Sequence, residues 1–196
     1  MLRSGALVVY PTETVYGIGA DAADAGAIER LLELKGREGG RGISLLVEDL
    51  ASAASLLAEA VPFGAHALAR RFWPGPLTIV LPAAASVAEA LVGPGGGVGL
   101  RCSSDPMASS LVRCFGGPLT STSANVSGQA PARTVEDARR SFPKGIGAFL
   151  DGGARRDSSV STVVEFLGSR AYLRRAGAID MADLAAVVPF SEDCLG

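Results

Sequence analysis

Short apolar runs alternate along the chain with segments whose apolar positions recur every three or four residues, a pattern that predicts strands separated by amphipathic helices. ALVVY (6–10) reads as a buried strand, and Asp24 caps a helix in which Ile28, Leu31, Leu32 and Ala25 share a face up to Lys35-Gly36. ISLLV (43–47) is a second strand, and Asp49 caps the Ala/Leu-rich helix expected after it. Pro62 opens a further helix through Phe63 to Phe72, which the WPGP of 73–76 must end. LTIVL (77–81), VGL (98–100), PLTST (118–122), IGAFL (146–150), STVVEF (161–166) and AYLRR (171–175) complete the strands. Asp105-Pro106 is an N-cap with proline at the first helical position, Thr134 and Asp137 form a capping box, and PGGG at 94–97 reads as a mobile loop. Some neighbouring strands lie too close for crossover helices, so the sheet is mixed and the fold class α/β.

Composition narrows the classes. A chain of 196 residues, 48% hydrophobic and 19% charged, buries one sizeable core, and residues 1–196 are read as a single domain with no extra C-terminal domain. Lys+Arg 18 against Asp+Glu 20 gives a formal charge of -2, so any anion site is local rather than a property of the whole surface. Three cysteines without CxxC spacing point to a reducing compartment, and cytoplasm is the default. No run reaches the ~18 apolar residues of a membrane span.

Several chemistries drop out. The lone histidine, His66, has no ligand pair nearby, so neither a zinc site nor a Ser-His-Asp triad is expected. GxxxxGK[ST] is missing, and Gly17-Ile18-Gly19 lacks the continuation of a dinucleotide loop. Phosphate binding must then fall to cations and hydroxyls. Lys35 and Arg37 close a helix, where they serve either as a solvated C-terminal cap or as anion ligands, and Arg41 follows in a glycine-rich loop. Arg101 and Arg175 end strands, which in open α/β sheets face the ligand crevice, though an ordinary surface role fits as well. PTET (11–14), TSTSAN (120–125) and Ser159, Ser161, Thr162 put hydroxyls at strand boundaries, as caps or as ligand contacts. FWPGPLT is read as a turn and packing element.

The combination and order of these segments resemble the YrdC-like threonylcarbamoyl-adenylate synthases. The matching stretches are YPTETVYGIGADA (10–22), LKGR (34–37), FWPGPLTIVL (72–81), VGLR (98–101), STSANVSG (121–128), STVV (161–164) and LRRAG (173–177). The resemblance implies a twisted, mostly mixed sheet flanked by helices, with a concave, positively charged cleft. It implies an enzyme that makes threonylcarbamoyl-AMP and pyrophosphate from L-threonine, bicarbonate and ATP for tRNA modification. By the same resemblance Lys35 and Arg37 are catalytic, and Arg37, Arg41, Ser123, Asn125 and Arg175 bind ATP. Thr14, Arg101, Ser121 and Ser161 then bind threonine, and Mg2+ arrives with ATP, held mainly by phosphates, with no protein metal site. Implied partners are those small molecules, tRNA or RNA, and a downstream threonylcarbamoyl transferase complex, with no membrane.

Glu38 stands where proline commonly follows the Lys-x-Arg pair, and Ala176 replaces the proline of an arginine-proline-glycine motif. Family members usually carry a helical segment before the first strand where this chain has only a few residues, so either the start is truncated or a hydrophobic surface is covered differently. Two alternatives accompany this reading: a noncatalytic double-stranded RNA-binding module with the same fold, and a carbamoyl-adenylate-forming domain of the hydrogenase-maturation type.

Overall fold

Nine strands form one mixed sheet in the computed structural model, which describes residues 1–36, 42–155 and 160–191. In chain order these are β1 (Val8–Pro11), β2 (Tyr16–Gly19), β3 (Ser44–Leu46), β4 (Leu77–Pro82), β5 (Gly97–Arg101), β6 (Leu119–Ser123), β7 (Ala148–Phe149), β8 (Thr162–Leu167) and β9 (Arg170–Arg175). Their spatial order is β7-β1-β2-β6-β3-β5-β4-β8-β9. β1 with β7, β3 with β5 and β4 with β8 are parallel, and the remaining pairs antiparallel.

Among the described residues five α-helices accompany the sheet: α1 (Ala25–Lys35), α2 (Phe63–Phe72), α3 (Pro106–Phe115), α4 (Val135–Ser141) and α5 (Met181–Ala185). Their ends follow local chemistry. Asp24 accepts from the Ala27 N–H at the start of α1, and Gly36 closes it at φ 58, a left-handed conformation that glycine adopts without a Cβ penalty. Asp105 accepts from the N–H groups of Met107 and Ala108 ahead of Pro106, and Thr134 and Asp137 form the reciprocal box on α4. On α1, Ala27 rather than Ala25 joins Ile28 and Leu31 in the core.

Four segments differ from the sequence expectation. The helix expected after Asp49 is replaced by a turn, in which Asp49 Oδ1 accepts from Ser52 N and Ser52 Oγ donates to Asp49 O, followed by a short 3-10 turn at Ala54–Leu56. Local Asp and Ser bonds compete with helical ones there, and the bridge between Leu57 and Ala83 draws the chain onto β4. β2 was not anticipated because glycine weakens a strand signal. Its glycines make room for Tyr10: a Cβ on Gly19 would lie 2.9 Å from Tyr10 Cε1, and one on Gly17 would lie 3.2 Å from Tyr10 Cζ. The 94–97 stretch is a hydrogen-bonded turn, with Gly96 N donating to Gly93 O and Gly93 N to Gly97 O, that leads into β5. The short α5 was also missed.

The core lies in two parts. Leu31, Leu45, Leu68, Ile79, Leu100, Val164 and Phe166 belong to the larger. On the opposite sheet face Tyr10, Leu46 and Leu119 pack with Ala108 and Val112 of α3. Since side chains alternate along a strand, Ser44 shares the face of Leu46, and Ser121 and Ser123 share that of Leu119. Helix α3 covers the apolar end of this face, and the hydroxyl-bearing end lines a cavity. Cys102 and Cys114 are free thiols, and Cys194 lies outside the described residues.

Candidate active site

The cavity has a volume of about 380 Å³, within the range of small-molecule sites. Alternate residues of five adjacent strands form its floor: Ser121 and Ser123 from β6, Ser44 from β3, Gly97, Gly99 and Arg101 from β5, Thr78 and Val80 from β4, and Val163 from β8. Thr12 and Thr14 of the β1–β2 turn, with Ser161 and Arg175, also line it. Gly99 keeps the floor low, since a Cβ there would stand 3.0 Å from Ser44 Oγ and 3.2 Å from Thr78 Cγ2. Among the described lining residues, Arg101 and Arg175 carry charge and none is a carboxylate.

Arg101 is buried, and three groups fix it. Its Nη2 donates to Thr14 Oγ1 at 3.0 Å and lies 2.9 Å from Glu13 Oε1, while Ser103 Oγ donates to Glu13 Oε2. Arg101 Nε is buried with no hydrogen-bond partner among the described residues, a donor left for a ligand. Arg175 stands at the rim, exposed as a residue, but its guanidinium folds inward: Nη2 donates to Ser161 Oγ at 2.8 Å and Nε to Ser161 O at 3.0 Å. That partial burial, and secondly the positive charge of Arg101, hold its pKa below the ordinary arginine value. An anion between the two guanidiniums relieves their repulsion.

The remaining expected site residues divide. Lys35 does not line the cavity. It is buried at the end of α1, with Nζ donating to Ser123 O at 2.5 Å and Asn125 O at 2.9 Å, so it anchors the turn after β6. Asn125 braces the same turn, donating through Nδ2 to Val126 O (2.9 Å) and Gln129 O (2.8 Å), while its Oδ1 is buried without a partner among the described residues. Arg37 and Arg41 lie outside the described residues. The structure therefore gathers Thr14, Arg101, Ser121, Ser123, Ser161 and Arg175 around one hollow, while Lys35 and Asn125 hold the turn that follows Ser123.

Sequence reasoning missed Glu13, Ser44, Thr78 and Arg155 as site-building residues, and marked Thr12 only as one hydroxyl of the PTET stretch. The signal for Ser44 and Thr78 is the alternation in I-S-L and L-T-I, where one small polar side chain sits between apolar ones and faces away from the core. Arg155 has no local signal. Its Nη1 bonds Asp105 Oδ2 at 2.8 Å and Thr12 O at 3.1 Å, bracing the β1–β2 turn from 143 residues away.

Comparison with known proteins agrees with this architecture. The family Sua5_yciO_yrdC, described as "Telomere recombination", matches residues 1–177. A threonylcarbamoyl-AMP synthase of Methylococcus capsulatus is 40% identical over 163 residues, covering 81% of this chain and 87% of that protein. The crystal structure of Pyrococcus abyssi Sua5 complexed with L-threonine superposes with a TM-score of 0.90 at 34% identity, over 96% of this chain and 55% of that one. This chain thus spans about half the length of the Pyrococcus protein. Escherichia coli YciO superposes with a TM-score of 0.80 at 25% identity, over 91% and 86% of the two chains. Since the match runs from the first residue through the strand that carries Arg175, and so includes every element around the cavity, the chain belongs to the Sua5/YciO/YrdC family.

Proposed function

We propose that this chain is a threonylcarbamoyl-AMP synthase. The observation that carries the reading is the pairing of Arg101 and Arg175 across one hydroxyl-lined cavity whose described lining holds no carboxylate, an arrangement suited to anionic, hydrogen-bonding small molecules. L-Threonine and bicarbonate give a carbamate with loss of water. One anionic carbamate oxygen then attacks the α-phosphorus of ATP, and the bond from that phosphorus to the bridging oxygen breaks, releasing pyrophosphate. An anionic nucleophile needs no strong base at this step. The protein must instead align two negative reactants and stabilise the charge on the phosphoryl oxygens. A cation about 4 Å from an anion contributes roughly 4 kcal/mol at an effective dielectric near 20, so a few guanidiniums offset the repulsion between carbamate and triphosphate.

Thr14, Arg101, Ser121 and Ser161 are assigned to L-threonine, and Ser123 and Arg175 to the nucleotide side. Arg37 and Arg41 are assigned to the phosphates. Lys35 and Asn125 act on the nucleotide through the turn they hold. Mg2+ enters with ATP as part of the substrate: the lining offers guanidiniums and hydroxyls, which fit phosphate oxygens and leave the ion to the phosphates and water. The product is an activated acyl donor, to be consumed by a threonylcarbamoyl transferase acting on tRNA. Cytoplasm is the proposed compartment, and no helix among the described residues is long and apolar enough to cross a membrane.

Incubation of the purified chain with ATP, Mg2+, bicarbonate and L-threonine, followed by mass spectrometry at short times, is expected to reveal threonylcarbamoyl-AMP that vanishes when threonine is omitted. No threonine-dependent adenylate, together with tight, salt-sensitive binding of duplex RNA, overturns the reading in favour of an RNA-binding module.

A further inference from the structure

Two hydroxyl relays reach the cavity, and they end differently. The first begins at Arg101, whose Nη2 donates to Thr14 Oγ1. Thr12 gives its one hydroxyl proton to Val15 O at 2.7 Å, so in the 2.9 Å contact between Thr12 Oγ1 and Thr14 Oγ1 the proton comes from Thr14. Both hydroxyl protons on this path are used inside the protein. Thr14 has only a lone pair left to offer a ligand.

The second relay begins at Arg175, which donates to Ser161 Oγ at 2.8 Å, and continues across 3.0 Å between Ser161 Oγ and Thr78 Oγ1. A guanidinium donating to the Ser161 oxygen makes that hydroxyl a stronger donor and a weaker acceptor, so the bond runs from Ser161 O–H to Thr78 Oγ1. Thr78 then keeps its own proton. Thr78 is 2% exposed and lines the cavity, and with the Ser161–Thr78 bond run in that direction no hydrogen bond among the described residues takes up its proton. Buried donors in folded proteins find acceptors, and here the acceptor must come from the ligand.

We propose that Thr78 is a further substrate-binding residue, donating its hydroxyl proton to a carboxylate oxygen of the bound amino acid. This rests on the synthase reading above and extends it to a residue outside the family-derived assignments. The two relays orient the ligand. The carboxylate lies toward the open donor end, near both guanidiniums, and the amino acid's own N–H or O–H lies toward Thr14, which can only accept. Valine, which has the carboxylate and amine but lacks the hydroxyl, meets the donor end equally well and is rejected elsewhere.

Calorimetric titration of the full chain with L-threonine, and separately with ATP, tests the assignment in wild type, Thr78→Val and Thr78→Ser. Valine keeps the shape of threonine and removes only the hydroxyl. The expected outcome is an L-threonine Kd about tenfold or more higher in Thr78→Val, restored to within about threefold in Thr78→Ser, with ATP affinity unchanged in both. An L-threonine Kd within about twofold of wild type in Thr78→Val overturns the assignment, as does an equal loss of ATP affinity. Should Thr78→Val fail to fold, wild type is titrated with L-threoninamide, and binding as tight as that of L-threonine overturns it equally. Wild type that binds no L-threonine at all removes the synthase reading and this inference together, whereas normal binding by wild type and by Thr78→Val removes this inference alone.

Discussion

Lys35 Nζ donates to Ser123 O at 2.5 Å, tying the last turn of α1 to the end of β6 across 88 positions of sequence. Lys35 of the Lys-x-Arg pair therefore meets the Ser-x-Asn pair through the backbone oxygens of Ser123 and Asn125. Lys35 is 2% exposed, so its charge is compensated by carbonyl oxygens and by its position at the negative end of a helix.

Lys35→Met keeps the aliphatic stem and removes the donor, leaving the carbonyls of Ser123 and Asn125 without it. Stability is expected to fall by about 1.5–3 kcal/mol in urea unfolding, the usual worth of hydrogen bonds to a charged group. Loosening of the turn that carries Ser123 is expected to lower adenylate formation by about 10²-fold. Unchanged stability means that Lys35 does not brace this turn.

Much of this arrangement was legible in local chemistry. Asp24 and Gly36 bound α1, Asp105-Pro106 opens α3, and apolar runs mark the strands of the sheet, because each signal acts within a few residues of its effect. The parts that were not legible depend on distant partners. β2 contains two glycines whose use is visible only once Tyr10 is seen beside them, and the segment after Asp49 forsakes helix for a bridge to Ala83. Within the site, Arg101, Ser161 and Arg175 came from motifs at strand ends. Thr78 and Ser44 sit inside strands that read as ordinary core, and their role follows from the sheet face that α3 leaves uncovered.

Gly177 supplies a steric test of the Ser161 position. A Cβ there would lie 2.5 Å from Ser161 C, Thr162 N and Val160 O, all backbone atoms that cannot rotate away. Gly177→Ala is expected to displace the Ser161 backbone, weaken the contacts from Arg175, and destabilise the fold by about 1–3 kcal/mol. L-Threonine affinity should fall with it, as read by calorimetry. A variant with wild-type stability and affinity shows that this loop moves aside at no cost.

Glu13 compensates Arg101 in a largely buried pair, with side chains 17% and 9% exposed, and its second oxygen is engaged by Ser103. Removing the carboxylate leaves a guanidinium in the cavity wall with its charge uncompensated. Glu13→Ala is expected to cost about 3–5 kcal/mol, and Glu13→Gln, which retains a hydrogen-bond acceptor of the same shape, less. Chemical denaturation checks the order of the two variants, and an alanine variant within about 1 kcal/mol of wild type refutes the compensation.

Tyr10 gives the fold a defined alkaline sensitivity. Burial pushes its phenol from 10.0 up to about 12, while its hydroxyl donates to Thr120 O at 3.3 Å. A folded-state pKa above the unfolded one means that the native state holds its proton longer, so the associated stability is intact below pH 10 and is lost as pH rises toward 12. Over the first of those two units the loss is about 1.4 kcal/mol. Tyr10→Phe removes the titrating group and one long hydrogen bond, so below pH 10 it should lie within about 1 kcal/mol of wild type. The stability difference between wild type and variant, measured by urea unfolding from about pH 9 to 11, should shift in the variant's favour by about 1.4 kcal/mol, since other titrations are common to both proteins and cancel. A difference independent of pH across that window shows that the phenol ionises as readily in the folded chain as in the unfolded one, and with it that the packing of Tyr10 against Gly17 and Gly19 is looser than described.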